Sequence, residues 1–318
     1  MTTDISLIKD MVLIKVTVRA YLGTVRSDKA ARDAENTSGA EMGSVDASVK
    51  NLAEEYAGPI RHARSVIRKF WYENTLPWLD GGYRIVPASE YQKLMDGIAK
   101  LVSSVWERPV QKLLDNYDQV RVDAQARLGG LFDEQRFPNR ENLADKFDVD
   151  VFRSSVQNPG DIRINGLMGD AIEEIQKEVS DKYAVQIKGA VDQVVDTIRA
   201  TMISVAERMD RPGKGAKYKG LWGTVQRLVD TLPALNITGN EEISKAIDGM
   251  REEIAGVDLT EIREKTATRE QVKSAALRIE KGLTASGKPS VAETAITKSG
   301  IGVTVGQTTS GDLGNMFK

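Results

Sequence analysis

The residues best suited to chemistry are cations that stand close to aromatic rings. One set occupies a predicted loop between two helices: Arg211, Lys214, Lys217 and Lys219, with Tyr218 between the last two. Lysine and arginine contact phosphates, and aromatic rings stack on unpaired bases. The loop therefore suggests a site for single-stranded nucleic acid. An ordinary exposed connection between helices is the alternative.

A second, weaker basic cluster lies earlier in the chain. Arg61, Arg64 and Arg68 recur at helical spacing and are followed by Trp71 and Tyr72. We expect these two aromatic residues to be buried, which would leave only the arginines for phosphate contacts. Together the two clusters form the predicted nucleic-acid-binding surface.

Residues for catalysis or metal binding are scarce. His62 is the only histidine, it stands among arginines, and the chain has no cysteine. This composition excludes a thiolate nucleophile, a disulfide framework and a zinc–thiolate site. The paired carboxylates fall on polar helix faces, where nothing would desolvate them and shift their pKa. The sequence therefore predicts a protein that is not an enzyme and has no catalytic residue, metal site or cofactor.

Composition describes a chain that folds in water. Of its 318 residues, 41% are hydrophobic and 28% are charged, and the formal net charge is −2. No apolar run approaches the ~20 residues of a membrane span, and the start lacks the basic region of a signal peptide. We therefore expect no membrane contact and a cytoplasmic location. The near-neutral charge means that any nucleic-acid contact must be local.

Two long apolar stripes dominate the pattern. They run over Pro87–Leu131 and Leu167–Met209 at steps of three or four residues, which is the period of a helix. Pro109 lacks a backbone donor and should kink the first helix where Trp106 can pack. The predicted fold is mainly α: a long antiparallel helical hairpin, a small β-sheet at one end and a small C-terminal helical subdomain.

The sheet is predicted from one alternating stretch. Residues 11–22 place valine, isoleucine and leucine at every second position, as a half-buried strand requires. Its candidate partners are Tyr83–Val86 and Asp161–Ile164, each of which follows a glycine-containing turn. Residues 27–44 have few large apolar side chains and are predicted to form a mobile loop.

Three regions follow from this pattern. Residues 1–165 hold the N-terminal strand, helices and first long helix with the sheet. Residues 166–281 hold the second long helix and the helical subdomain. Residues 282–318 form a flexible tail rich in glycine, serine and threonine.

Four motifs stand out along the chain. They are Thr75–Trp78, Gly82–Pro87, Leu128–Phe132 and Leu232–Thr238. Together they resemble the TLPW…GxRxLP…LGxLF…LPxLNxT signature of a family of tailed-bacteriophage proteins that has no established activity, with valine in place of the signature leucine at position 86. The resemblance implies a phage origin and hence the cytoplasm of an infected bacterium. Related genes often lie among replication and recombination genes or beside AAA+ ATPases, and no catalytic residues carry over.

Two functional hypotheses result. The first is a non-catalytic, homo-oligomeric accessory of DNA replication or recombination that binds single-stranded DNA through its basic and aromatic surface. The second is a structural or adaptor protein that self-assembles or engages a phage or host protein, with an AAA+ ATPase as one candidate, without nucleic acid.

Overall fold

A computed structural model describes residues 5–79, 81–210 and 218–283 of the chain. The described part is mainly helical, with a four-stranded antiparallel sheet and a separate two-stranded one, which confirms the predicted fold class. The chain divides into two compact units. The first comprises residues 1–194 and 227–247, and the second residues 195–226 and 248–318.

The element bounds are as follows. The strands are β1 Met11–Arg19, β2 Thr24–Arg26, β3 Ser48–Lys50, β4 Leu76–Pro77, β5 Arg84–Pro87 and β6 Asp148–Ser155. The helices are α1 Asp28–Ser38, α2 Glu54–Glu73, α3 Ala88–Leu101, α4 Glu107–Asp115, α5 Tyr117–Leu128, α6 Arg140–Leu143, α7 Gly169–Asp210, α8 Tyr218–Leu235, α9 Glu241–Met250, α10 Leu259–Glu264 and α11 Thr266–Gly282.

Strand β1 is central in the sheet, whose order is β4-β5-β1-β6. It pairs with β5 only over residues 11–14, and with β6 over residues 12–19. The predicted strand and its partner at residues 83–86 are therefore confirmed. The other predicted partner, Asp161–Ile164, is wrong. The Asn158 side chain accepts a hydrogen bond from the Gly160 amide at 3.3 Å and starts a tight turn there instead.

Helix α2 lies alongside β1 and runs in the opposite direction. Before the helix, Asn51 donates its amide proton to the Gly23 carbonyl at 2.6 Å. After it, Thr75 accepts a hydrogen bond from Arg84, which is paired with Ile14. The path from residue 14 to residue 23 is about 30 Å at ~3.3 Å per residue. Helix α2, with 20 residues, has the same length at ~1.5 Å per residue.

The first predicted long helix is divided into α3, α4 and α5. Residues 102–106 form a π-helical turn just before Pro109, and Asn116 separates α4 from α5. The wider turn accommodates the proline ring, which would otherwise clash with the preceding turn. Trp106 is buried there, as predicted. Both α3 and α4 pack against α2, a partner that the sequence pattern did not identify.

The prediction of a mobile loop at residues 27–44 is wrong, since α1 occupies most of it. Ser27 caps the helix by accepting from the Ala30 amide at 3.2 Å, and Gly39 ends it in the left-handed conformation. Alanine, aspartate and glutamate are compatible with a surface helix even without a large apolar face. The second long helix is confirmed as α7, which spans 42 residues.

Candidate binding groove along the edge of strand β1

An open groove of about 700 Å³ lies in the first unit, between β1, α2 and the turn that joins β4 to β5. Its volume is within the range of ligand-binding clefts. The lining residues are Lys15, Val16, Thr17, Val18, Arg19, Ala20, Tyr21, Arg64, Arg68, Trp71, Tyr72, Gly81, Gly82, Asp145 and Lys146. Because residues from both faces of β1 take part, the groove follows the edge of the strand.

The groove exists because β5 leaves β1 early. The β1–β5 ladder stops at the pair Ile14–Arg84, and the chain then turns at Gly81 and Gly82, whose φ angles are 78° and 84°. Among the described residues, none forms a backbone hydrogen bond to residues 15–19 on this side. Since backbone groups of a strand point alternately to its two edges, this stretch presents free N–H and C=O groups to the groove.

Positive charge dominates the walls. Lys15, Arg64, Arg68 and Lys146 line the groove, and no carboxylate of the described residues lies within ion-pair distance of any of them. A fifth cation, Arg19, is already bound to Asp148. Asp145 is the one acidic side chain that the described residues contribute to the lining. The described groove therefore favours an anionic occupant.

Two polar atoms of α2 lie buried behind this wall. The Nε atom of Arg64 and the indole Nε1 of Trp71 are both inaccessible to solvent and have no hydrogen-bond partner among the described residues. Trp71 is 2% exposed. A buried donor without an acceptor is costly, by ~1–3 kcal/mol, so these two atoms lower the stability of the wall.

Tyr72 supplies an aromatic surface at one end. Its side chain is 46% exposed, and the Arg84 guanidinium lies 4.5 Å from the ring centroid. Burial lowers the pKa of Arg84 to about 10, and the neighbouring Tyr72 opposes this shift. Arg84 thus stays protonated at neutral pH. It donates to the Thr75 hydroxyl at 2.6 Å, to the Thr75 carbonyl at 2.5 Å and to the Tyr72 carbonyl at 3.2 Å.

Five of the eight residues predicted to bind nucleic acid are described, three in the first unit and two in the second. Arg64 and Arg68 line the groove, whereas Arg61 is outside its lining and bound to Glu54 at 2.7 Å. Tyr218 is 1% exposed, so its ring offers no free face on which a base could stack, contrary to the prediction. Lys219 is exposed. Arg211, Lys214 and Lys217, like the predicted tail from residue 284 onward, lie outside the described residues.

The sequence analysis missed other members of the groove. Lys15 belongs to the polar side of the predicted strand, and Lys146 comes from a short 3-10 helix far along the chain, so spacing gave no reason to group them. Trp71 is buried as expected, but the expectation that Tyr72 is buried is wrong. Tyr72 is the penultimate residue of α2, and its ring packs against Arg84 and Trp71 but stays 46% exposed.

The groove carries no recognisable catalytic set. His62 is exposed and outside it, and the described residues contain no group of three potential metal-ligating side chains. No helix of the described residues is long and apolar enough to cross a membrane. Comparison of the chain with protein-family models, curated proteins and solved structures gives no match.

Proposed function

We propose that this protein is a non-catalytic adaptor that captures an extended, acidic segment of a partner protein in the β1 groove. The single observation that carries the proposal is the unpaired edge of residues 15–19, which opens onto a groove lined by cations. An extended peptide added to such an edge gains main-chain hydrogen bonds, and flanking side chains then select its sequence.

The free strand edge favours a peptide over a nucleic acid. It offers N–H donors and C=O acceptors in alternation, at the ~3.3 Å rise of a strand. A second strand presents the complementary groups at the same spacing. A sugar–phosphate backbone presents mainly acceptors, which would leave the carbonyl groups of β1 without partners. Carboxylates on the peptide can meanwhile meet Arg64 and Arg68, which have no carboxylate partner among the described residues.

Single-stranded DNA is a second candidate ligand, and one observation favours it. Part of the Tyr72 ring is exposed, and the buried Arg84 guanidinium packs against the ring in a cation–π contact. Base stacking on an aromatic ring is worth ~1–3 kcal/mol. In this mode the DNA would place a base on Tyr72 and its phosphates on the groove arginines.

The two candidates are distinguished by one titration series. A fluorescent ten-residue peptide of alternating glutamate and threonine and a ten-nucleotide oligothymidylate are each titrated with the full chain. The double variant Arg64→Ala/Arg68→Ala should weaken peptide binding at least tenfold. Arg61→Ala is the matched control, because it removes an arginine from the same helix but outside the groove.

Strand addition has a signature that charge attraction lacks. Two N-methylated versions of the peptide are compared, one methylated at the odd-numbered residues and one at the even-numbered residues. Both keep all charges, but each lacks the N–H donors along one of its two edges. We expect at most one of them to bind. Equal binding of both would refute strand addition, and failure of the unmodified peptide to bind would refute the proposed function. Oligothymidylate binding that needs Tyr72, with no peptide binding, would establish the second candidate instead.

A further inference from the structure

We infer that the segment recognised in the groove carries carboxylates at alternate positions, in an acidic-x-acidic arrangement. This inference rests on the proposed function, since it assumes that a peptide pairs with the free edge of β1. It specifies the chemical class of the partner: a strand with an acidic residue at i and another at i+2.

The spacing of the two arginines carries the argument. Arg64 and Arg68 are four residues apart on α2, and they both line the groove. Four residues of helix advance about 6.0 Å, while two residues of strand advance about 6.6–6.8 Å. Because α2 lies alongside β1, a helical i, i+4 pair and a strand i, i+2 pair can face each other directly.

The position of each arginine along β1 follows from the same geometry. Thr75, two residues after the end of α2, is level with Ile14 through its contact with Arg84. Counting back along the helix at ~1.5 Å per residue brings Arg68 level with about residues 16–17, and Arg64 with about residues 18–19. Within this stretch, Val16 and Val18 are the buried residues.

Side-chain direction then fixes which residues of the captured strand meet the arginines. Val16 and Val18 share the face of β1 that packs toward α2, as members of one buried cluster with Ile60 and Ile67. Residues directly opposite each other in paired strands have their side chains on the same face. The captured residues opposite positions 16 and 18 therefore point toward Arg68 and Arg64, and they stand at i and i+2.

Other spacings do not satisfy both arginines. Carboxylates at i and i+1, or at i and i+3, lie on opposite faces of a strand, so only one can point toward α2. Carboxylates at i and i+4 lie on one face but about 13 Å apart. The i, i+2 arrangement reads the same in both directions, so the inference holds for a parallel and for an antiparallel strand.

Three peptides of identical composition test the spacing. Each has two glutamates in a ten-residue serine and threonine background, placed at i and i+1, at i and i+2, or at i and i+3. We expect the i, i+2 peptide to bind the full chain at least tenfold more tightly than the others, because only it forms two charge-assisted contacts. The alternating glutamate–threonine peptide serves as the positive control for binding itself.

The outcomes separate the inference from the proposed function. Equal affinities for the three peptides, with the positive control bound, would overturn the spacing rule and leave strand addition standing. No binding of the positive control would refute the proposed function. In a double-mutant cycle, Arg64→Ala should remove the advantage of the i, i+2 peptide, whereas Arg61→Ala should keep it. An advantage that survives Arg64→Ala would also overturn the inference.

Discussion

Arg84→Met should weaken the first unit by removing a buried guanidinium group. The Arg84 side chain is 4% exposed and ties the end of α2 to β5 through its three hydrogen bonds to Tyr72 and Thr75. Methionine fills much of the same space but cannot donate. Two carbonyl groups and one hydroxyl group would then lose their donor in a largely dry environment.

The cost follows from those lost contacts. An unsatisfied buried acceptor costs ~1–3 kcal/mol, while the thioether chain of methionine restores part of the packing. We expect the free energy of unfolding to fall by about 2–4 kcal/mol on this basis. Arg84→Lys keeps the charge but not the forked geometry of the guanidinium group. Its loss of unfolding free energy should therefore lie between zero and that of Arg84→Met.

Urea denaturation followed by far-ultraviolet circular dichroism measures this difference. The matched control is Arg61→Met, whose exposed ion pair with Glu54 should contribute little to stability because water screens it. If Arg84→Met lowers the free energy of unfolding by less than ~1 kcal/mol, the guanidinium does not stabilise the contact between the end of α2 and β5. The interpretation that Arg84 fixes the Tyr72 ring would then be wrong as well.

Four further predictions concern stability, each measured by urea denaturation, the last of them as a function of pH. Gly97→Ala should lower the free energy of unfolding by ~1–3 kcal/mol, because a Cβ atom there would lie 2.2 Å from the Phe70 ring. Gly189→Ala, on a helix with open space around it, should instead raise the free energy of unfolding by up to ~1 kcal/mol. Ser27→Ala removes the cap of α1 and should lower the free energy of unfolding by ~0.5–2 kcal/mol. Burial raises the pKa of Tyr117, so the unfolded chain ionises first. Its stabilising effect is complete below pH ~10 and declines above it. Tyr117→Phe should make the loss of stability above pH ~10 smaller, while the part due to Tyr21 and Tyr183, whose pKa burial also raises, remains.

Local patterns in the sequence were enough to identify the elements whose signal is periodic. Strand β1 and helix α7 each carry a long, regular apolar repeat, and both were predicted correctly. The disturbance before Pro109 was also predictable, because a missing backbone donor acts on the adjacent turn. Strand β6 was missed, because its apolar residues are few and its outer half is exposed.

The groove could not be predicted, because its parts are far apart in the sequence. Its walls come from residues 15–21, 64–72, 81–82 and 145–146. What defines it is the point where the β1–β5 ladder stops, and that depends on pairing between distant segments. The arginines of α2 were recognised as cations, but only their position beside an unpaired strand indicates a ligand. The predicted basic loop after residue 210 had the stronger local pattern, and only Tyr218 and Lys219 of it belong to the described residues.

An open strand edge also carries a risk, since it can pair with the same edge of another copy. Natural proteins prevent such pairing by placing charges along the edge. Two copies joined through residues 15–19 would bring the groove arginines of both chains together, and like charges would oppose the contact. The cations that favour an acidic partner therefore also disfavour self-pairing at this edge.

This second role predicts a gain of self-association when the charges are removed, in addition to the loss of peptide binding. The double variant Arg64→Gln/Arg68→Gln keeps side chains of similar polarity but removes the repulsion, so it should self-associate more than the wild type. Arg61→Gln should not, because it lies outside the groove lining. Sedimentation velocity over a hundredfold range of protein concentration measures the effect. If the double variant sediments like the wild type throughout, the charges do not protect the edge. If its association persists when the edge is blocked by the alternating peptide, the contact lies elsewhere on the molecule.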